Sequence, residues 1–283
     1  MLLSPDAAAR VERVDEDYLR VRVGALSRLP GNPYGAEVRV VGGGCGFLVE
    51  AVPNPLFNHV VNLDAGALAE LPELAAWYAR HGKPLRVDVT PAQSDRQLLA
   101  ALVAQGLSQT GFYAGLYAEL APADCPELDP ASGCTASIDR PESTRTGSAI
   151  DVAPVDPEEF AEVYVAGFGF PERHRAAMAE SMRVLADHPS VDFFRARVGR
   201  ATAGVGLLFR ADTVGYLATA ATLPQYRRRG VQSALVRYRM LAARQAGCDL
   251  VVGHTTFGGA SHRAMERSGL RVAYTKALWG TAT

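Results

Sequence analysis

Ala218-Thr219-Ala220-Ala221-Thr222-Leu223-Pro224-Gln225-Tyr226-Arg227-Arg228-Arg229-Gly230-Val231-Gln232-Ser233-Ala234-Leu235-Val236 is the stretch from which the rest of the chain is read. Its small and apolar beginning completes a buried strand over 214–222 that stops at Pro224. A basic turn with one glycine runs from Gln225 to Gly230. A helix then starts, because Val231, Ala234, Leu235, Tyr238 and Leu241 fall at the i, i+3, i+4, i+7 spacing of a single apolar face. Gly247 stands where such a helix stops.

The charges around the turn carry information. Arg227, Arg228 and Arg229 precede a helix N-terminus, where the macrodipole is positive and each cation costs about 0.3–1 kcal/mol. The first N–H groups of that helix also need an acceptor. An anion such as a pyrophosphate resolves both conflicts. The alternative is a solvated basic turn, but the position between a buried strand and an amphipathic helix favours the anion.

At this point the chain resembles a family. The order strand, Pro-x-Tyr-Arg-x-Arg-Gly-x-x-Ser-Ala-Leu, helix is similar to the acetyl-coenzyme-A site of the GNAT N-acetyltransferases. The family signature, Arg/Gln-x-x-Gly-x-Gly/Ala, is met by Arg227 to Val231 and departs at Gln232, which replaces Gly or Ala. The resemblance implies that Thr222, Leu223, Arg227, Arg228, Arg229, Gly230, Val231, Gln232 and Ser233 hold acetyl-CoA; Ser261 and Arg263 either contact its distal parts or cap and solvate the helix that starts there.

Composition sets wide bounds. The 283 residues are 48% hydrophobic and 21% charged, with a net charge of −1, as in an ordinary globular protein of one large or two medium domains. The balance of charge gives no case for a nucleic-acid partner, and no apolar run approaches a membrane span of about 20 residues. Met1-Leu2-Leu3 runs at once into Pro5 and Asp6, without the pattern of a secretory leader. Cys45, Cys125, Cys134 and Cys248 are scattered, which argues against a disulfide framework or a metal site and for a reducing cytoplasm.

Along the chain, helices are expected at 6–29, 68–80 and 95–105, and strands at 36–41, 47–52, 58–63, 85–89 and 109–120. Gly42 to Gly46 reads as a hairpin turn. Residues 121–147, rich in Pro, Ser, Thr, Asp and Glu, read as a linker. The same order then returns: strands at 150–152, 192–198, 203–209, 214–222, 250–255 and 272–279, helices at 157–166, 172–186, 231–247 and 261–268. The fold class is α/β of the α+β kind, two tandem GNAT-like domains each with a mixed, mostly antiparallel sheet flanked by helices. Their expected bounds are 1–120 and 148–283. The first copy has Asp64 to Pro72 in place of an arginine turn, and Glu70 there would oppose a phosphate, so only the second copy is expected to bind acetyl-CoA.

Acetyl transfer needs an amine stripped of a proton, a polarised thioester carbonyl and a stabilised thiolate. The family's usual tyrosine acid falls at Met265, which reads as core packing, and its common asparagine falls at Gly258. His254, Tyr216 and Tyr274 are the substitute catalytic candidates, each with a packing role as the alternative. Glu172 and His174 lie where the family covers its substrate. The reading is an acetyl-CoA-dependent N-acetyltransferase acting on an amine of a small-molecule acceptor by direct attack in a ternary complex. The alternative is a non-catalytic acyl-CoA-binding or regulatory protein.

Overall fold

Ser4 starts the first helix, its hydroxyl accepting from the Ala7 N–H at 3.1 Å, with Pro5 at the first helical position, where a missing N–H costs nothing. The computed structural model describes residues 4–52, 55–120 and 150–281. Its first half runs α1 (Pro5–Ser27), β1 (Ala36–Val41), β2 (Gly44–Val49), β3 (His59–Val61), α2 (Leu71–Arg80), β4 (Val87–Val89), α3 (Arg96–Ala104) and β5 (Ser108–Glu119). The second half runs β6 (Ile150–Pro154), α4 (Pro157–Phe168), α5 (Glu172–Arg183), β7 (Val191–Val198), β8 (Ala201–Ala211), β9 (Val214–Tyr216), β10 (Ala220–Thr222), α6 (Val231–Gln245), β11 (Leu250–Thr256), α7 (Ala260–Arg267) and β12 (Arg271–Gly280). The expected linker, with Cys125 and Cys134, lies outside the described residues.

Two sequence expectations are corrected here. The hairpin turn is only Gly42-Gly43, since Val41 pairs with Gly44 and Gly42 takes the left-handed φ of +56° that the tight turn requires. Gly44, Cys45 and Gly46 belong to β2, and Gly44 must be glycine because a Cβ there would sit 2.3 Å from the Val61 carbonyl oxygen. The second correction concerns residues 214–222, which are two strands rather than one. Leu217 to Thr219 form a break between β9 and β10.

The strands make one mixed sheet in the order β1-β2-β3-β4-β12-β5-β11-β9-β8-β7-β6, with β10 added on β8. The middle of that order crosses the duplication. β5, the last strand of the first half, pairs with β11 of the second. β12, the last strand of the second half, pairs with β4 of the first, and β5 and β12 pair with each other. Each half thus completes the other's sheet.

Three apolar clusters cover the faces. Leu74, Trp77, Tyr78, Leu98 and Leu102 of α2 and α3 pack on the first-half strands. Val231, Leu235, Val236 and Ala243 of α6 pack on one face of the second half with Met265 and Leu270. On the opposite face α4 and α5 share a core with α1, whose Val11, Val14, Tyr18, Leu19 and Val23 are buried there. The helix that opens the first half therefore lies against the second half's sheet, its Tyr18 ring 5.7 Å from that of Tyr216.

Candidate functional site

The break between β9 and β10 opens the sheet. β11 pairs with β9 as far as Val252↔Tyr216, and the Leu217 N–H still reaches the Val252 carbonyl at 2.8 Å. Beyond that point β11 continues to Thr256 while β10 follows β8. Leu207 N–H donates to the Thr219 carbonyl at 2.7 Å and Leu223 N–H to the Ala203 carbonyl at 3.0 Å. Residues 219, 221 and 223 are therefore the ones bonded to β8, and the main-chain groups of Ala220 and Thr222 face the opening. The Thr222 hydroxyl is buried there without a partner.

One cavity, of about 540 Å³, runs from this opening along the start of α6, lined by Gly167, Thr222, Arg227, Arg228, Gln232 and Ser261 among others. Gly230 caps α6 with φ +87° and no side-chain hydrogen bond. The first intrahelical bond of this turn is Ala234 N–H to the Gly230 carbonyl at 3.0 Å, so the N–H groups of Val231, Gln232 and Ser233 remain for an external acceptor. Arg228 adopts φ +62°, a left-handed backbone seldom used outside glycine. Strain of that kind is retained where it shapes a site. Arg227 braces the turn, donating from Nε to the Thr222 carbonyl at 3.3 Å and from Nη2 to the Gly167 carbonyl at 2.9 Å.

The structure brings together most of the residues read from the sequence. Thr222, Arg227, Arg228, Gly230, Val231, Gln232, Ser233, Ser261 and Arg263 line this cavity, and Leu223 and Arg229 do not. Leu223 spends its N–H on β8, and the Arg229 guanidinium lies 5.6 Å from the centre of the Tyr226 ring. Within 168–174, Phe168 lines this cavity, and Glu172 and His174 do not. His174 instead faces the first half, its Nδ1 3.3 Å from the Ala51 carbonyl oxygen.

A second cavity of about 310 Å³ joins the first, sharing Phe168, Ala220, Gln232 and Ser261. Tyr216, His254 and Met265 line it, together with Asp15, Tyr18 and Arg22 from α1 and Asp88 from β4. The first half thus supplies much of this wall. Lys276 on β12 is completely buried, with Nζ 2.8 Å from Asp15 Oδ2, 3.4 Å from Asp88 Oδ2 and 3.6 Å from Glu12 Oε1. Tyr216 donates to Asp15 Oδ1 at 2.7 Å, and Tyr274 donates to Glu12. Three carboxyl groups surround this one ammonium.

His254 sits inside this cluster. Its side chain is 4% exposed, with Nε2 3.9 Å from Glu12 Oε2 and Nδ1 3.8 Å from Asp15 Oδ2. Nδ1 has no hydrogen-bond partner. Burial lowers its pKa, Lys276 lowers it further, and Asp15 and Glu12 only partly oppose them, so the ring is neutral near pH 7. Burial pushes the Asp15 carboxyl up, but Lys276, His254 and the bonds from Lys276 and Tyr216 outweigh it and hold the group well below the usual carboxylate range. Lys276 is pulled down by burial and raised well above its ordinary value by Asp15, Glu12 and Asp88. Burial and then Asp15 raise Tyr216, and burial and then Glu12 raise Tyr274, so neither phenol ionises near neutrality.

Of the three catalytic candidates, His254 and Tyr216 line the second cavity and Tyr274 stands behind His254. Met265 packs its thioether within 2.8 Å of where a Gly253 Cβ would sit, as core packing requires. Cys45 and Cys248 are buried and free. Burial pushes Cys45 up to about 12 and raises Cys248, which suits packing rather than nucleophilic attack. Among the described residues no group of His, Cys, Asp or Glu is arranged to hold a metal ion, and no helix is long and apolar enough to cross a membrane.

The contribution of α1 escaped the sequence reading. Glu12, Asp15, Leu19 and Arg22 recur at spacings of three and four, one face of a helix, so charged groups share that face with Val11, Val14 and Tyr18. Such a mixture on a buried face is the signal that could have marked them.

Comparison with known proteins agrees with this architecture. Residues 158–270 match the model of the acetyltransferase (GNAT) family. No curated protein matches the sequence. Among solved structures, the fold is similar to a GCN5-related N-acetyltransferase from Kribbella flavida, at 17% identity over 93% of this chain and 96% of that one, with a TM-score of 0.60. It is also similar to a tandem GNAT protein from the clavulanic acid biosynthesis pathway, at 14% identity over 100% and 96% of the two chains and a TM-score of 0.56. A GCN5-related N-acetyltransferase from Sphaerobacter thermophilus aligns at 15% identity over 79% and 72%, with a TM-score of 0.54. At these identities the likeness is one of fold. The chain has the tandem GNAT fold, with the family motif in its second half.

Proposed function

We propose that this tandem GNAT protein transfers an acetyl group from acetyl-CoA to the amine of a small-molecule acceptor, by direct attack in a ternary complex. The observation that carries the reading is the junction of two unlike cavities at the strand opening. One leads to the uncapped N-terminus of α6, and the other to His254 among carboxylates.

The larger cavity suits acetyl-CoA. The free N–H groups of Val231, Gln232 and Ser233 and the charge of Arg228 complement a pyrophosphate. The main-chain groups of Ala220 and Thr222 face the opening, where an extended pantetheine arm would pair as a strand does. In the second cavity the carboxylates attract an ammonium. Neutral His254 takes its proton at Nδ1, the ring being fixed between Tyr216, Glu12 and Asp15. The amine nitrogen then bonds to the acetyl carbonyl carbon, the carbon–sulfur bond breaks, and the nitrogen's second proton passes to the departing thiolate. The departing thiolate needs little acid help, because an ordinary thiol has a pKa of about 8.5, and Met265 in the family's tyrosine position offers none.

The first half, 1–120, serves in this reading without a cofactor of its own, and 148–283 binds the thioester. The buried, free Cys45 and Cys248 suit a reducing cytoplasm. Calorimetric titration with acetyl-CoA, then thiol release over a panel of amines, tests the proposal. Tight binding with no acetylation of any amine would favour the alternative that Met265 motivates, an acyl-CoA-binding protein without turnover.

A further inference from the structure

Two buried arginines of the second cavity have no carboxylate partner. Arg239 of α6 is completely buried. Its Nε donates to the Leu235 carbonyl at 3.0 Å, and its Nη1 to the carbonyls of Leu207 at 2.9 Å and Thr219 at 3.5 Å. Its Nη2 has no partner. Gly206 makes room for it, since a Cβ there would lie 2.9 Å from the guanidinium carbon. Burial without a counter-charge lowers its pKa to about 9, still cationic at pH 7.

Arg22 of α1 is also buried. It donates from Nε to the Ser181 carbonyl at 3.2 Å and from Nη1 to the Tyr18 hydroxyl at 3.3 Å. Its Nη2 reaches the hydroxyls of Tyr164 at 3.2 Å and Ser181 at 2.7 Å. All its partners are neutral, and four of its five N–H donors are used. The two side chains approach the opening from opposite faces of the sheet and meet around Thr219. Arg239 touches its carbonyl, and Arg22 reaches its hydroxyl through Tyr18, whose oxygen is 3.1 Å from Thr219 Oγ1. Both line the cavity that holds Asp15, Asp88 and His254.

A buried charge without a partner is costly, and proteins normally pair it or keep it for a ligand. What remains unspent is the Nη2 group of Arg239 and one N–H of Arg22, donors suited to the two oxygens of a single carboxylate. Asp15 and Asp88 line the same cavity, beside His254. We infer that the acceptor is a small amino-carboxylate, such as a free amino acid. Its carboxylate is bound by Arg239 and Arg22, and its amine is turned toward Asp15 and His254. A cavity of about 310 Å³ lies at the small end of the ~300–1,000 Å³ typical of ligand sites, which fits such a molecule. The inference rests on reading this cavity as the acceptor site, and it reads binding, so it stands or falls apart from turnover.

The test is calorimetric titration of the full chain saturated with coenzyme A. The probes are the proteinogenic amino acids, β-alanine and 4-aminobutyrate, each beside its amide and its decarboxylated amine. At least one amino acid should bind on the order of 10–100-fold tighter than both of its neutral-end counterparts. Arg239→Met should collapse that ratio and Arg239→Lys should restore part of it. The comparison within the unaltered protein needs no variant, so a variant that fails to fold leaves the test intact. Failure of every amino acid to bind, or binding no tighter than its amide and amine, overturns the inference. An amino acid that binds with this preference but is never acetylated supports the inference and sinks the proposed turnover instead.

Discussion

The two halves place the same connection, central strand to helix, under opposite rules. In the second half β10 leaves β11, the turn is basic, and α6 begins uncapped over a cavity. In the first half β3 stays paired on both sides, to β2 and to β4. Its turn is filled by a short 3-10 helix at Ala65–Glu70 that follows Asp64. Asp64 accepts from the Gly43 N–H at 3.2 Å, and Ala67 is fully buried. One copy keeps an opening where the other has built core. The closed copy is not idle, since its α1 sends Asp15, Tyr18 and Arg22 into the open copy's cavity. In the proposed reading, duplication divided the labour between a half that binds and a half that furnishes the wall.

The comparison breaks most sharply at His254. His254→Gln should lower turnover on any accepted amine by a factor on the order of 10²–10⁴ while leaving acetyl-CoA affinity alone. A retained rate would move the base out of the open half, to the carboxylates of α1. The rate of the unaltered protein should rise with pH through a pKa below about 6.5 and level off by pH 7, because the lowered pKa keeps His254 neutral there.

Next in size is Lys276, which joins the halves. Lys276→Met leaves Glu12, Asp15 and Asp88 uncompensated, and should cost about 3–5 kcal/mol in denaturant unfolding near pH 7. The pH dependence gives an independent reading. Asp15 has its pKa lowered by folding, so the unfolded state binds more protons in the interval between its two pKa values, and stability rises with pH there. Its contribution is full above the unfolded value of about 3.9 and is lost as pH falls toward the native one. Lys276→Met should flatten that acid slope. An unchanged slope would show that the cluster does not tie α1 to β12.

Arg228 and Arg229 sharpen the contrast at the turn. Arg228→Gln should weaken acetyl-CoA binding by about 1.5–3 kcal/mol, the worth of a charge-assisted hydrogen bond, and Arg229→Gln by much less. Equal losses would mean that both arginines serve as a general basic field. The smallest effect belongs to Met265→Leu, a volume-conserving change that should cost under about 1.5 kcal/mol of stability and leave turnover nearly intact. A large fall in rate would return a chemical role to this position.

What the sequence made legible follows the range of the interactions. Turn chemistry and helix periodicity act over a few residues, so 224–247 could be read directly, motif and helix together. The break at Leu217 to Thr219 was not legible, because its small and apolar residues suit a continuous strand equally well. The wall of the second cavity was further out of reach. Tyr274 meets Glu12 and Lys276 meets Asp15 across more than 260 positions, and charged residues on a helix read by default as solvent-facing. The exchange of β5 and β12 is invisible for another reason. Either half's last strand satisfies the same local pattern, and only the packed sheet decides which neighbour it takes.

That exchange has a consequence for synthesis on the ribosome. The first half emerges with β4 bare along one edge, because the strand that will cover it is β12, made after every other strand described. For the whole interval of translation the nascent chain carries an unpaired edge, the kind of surface that recruits other chains. Closure must await contacts of very long sequence separation, which makes it slow. Maturation of both copies is thus a single late event, and a truncated message would yield two unfinished sheets instead of one finished domain.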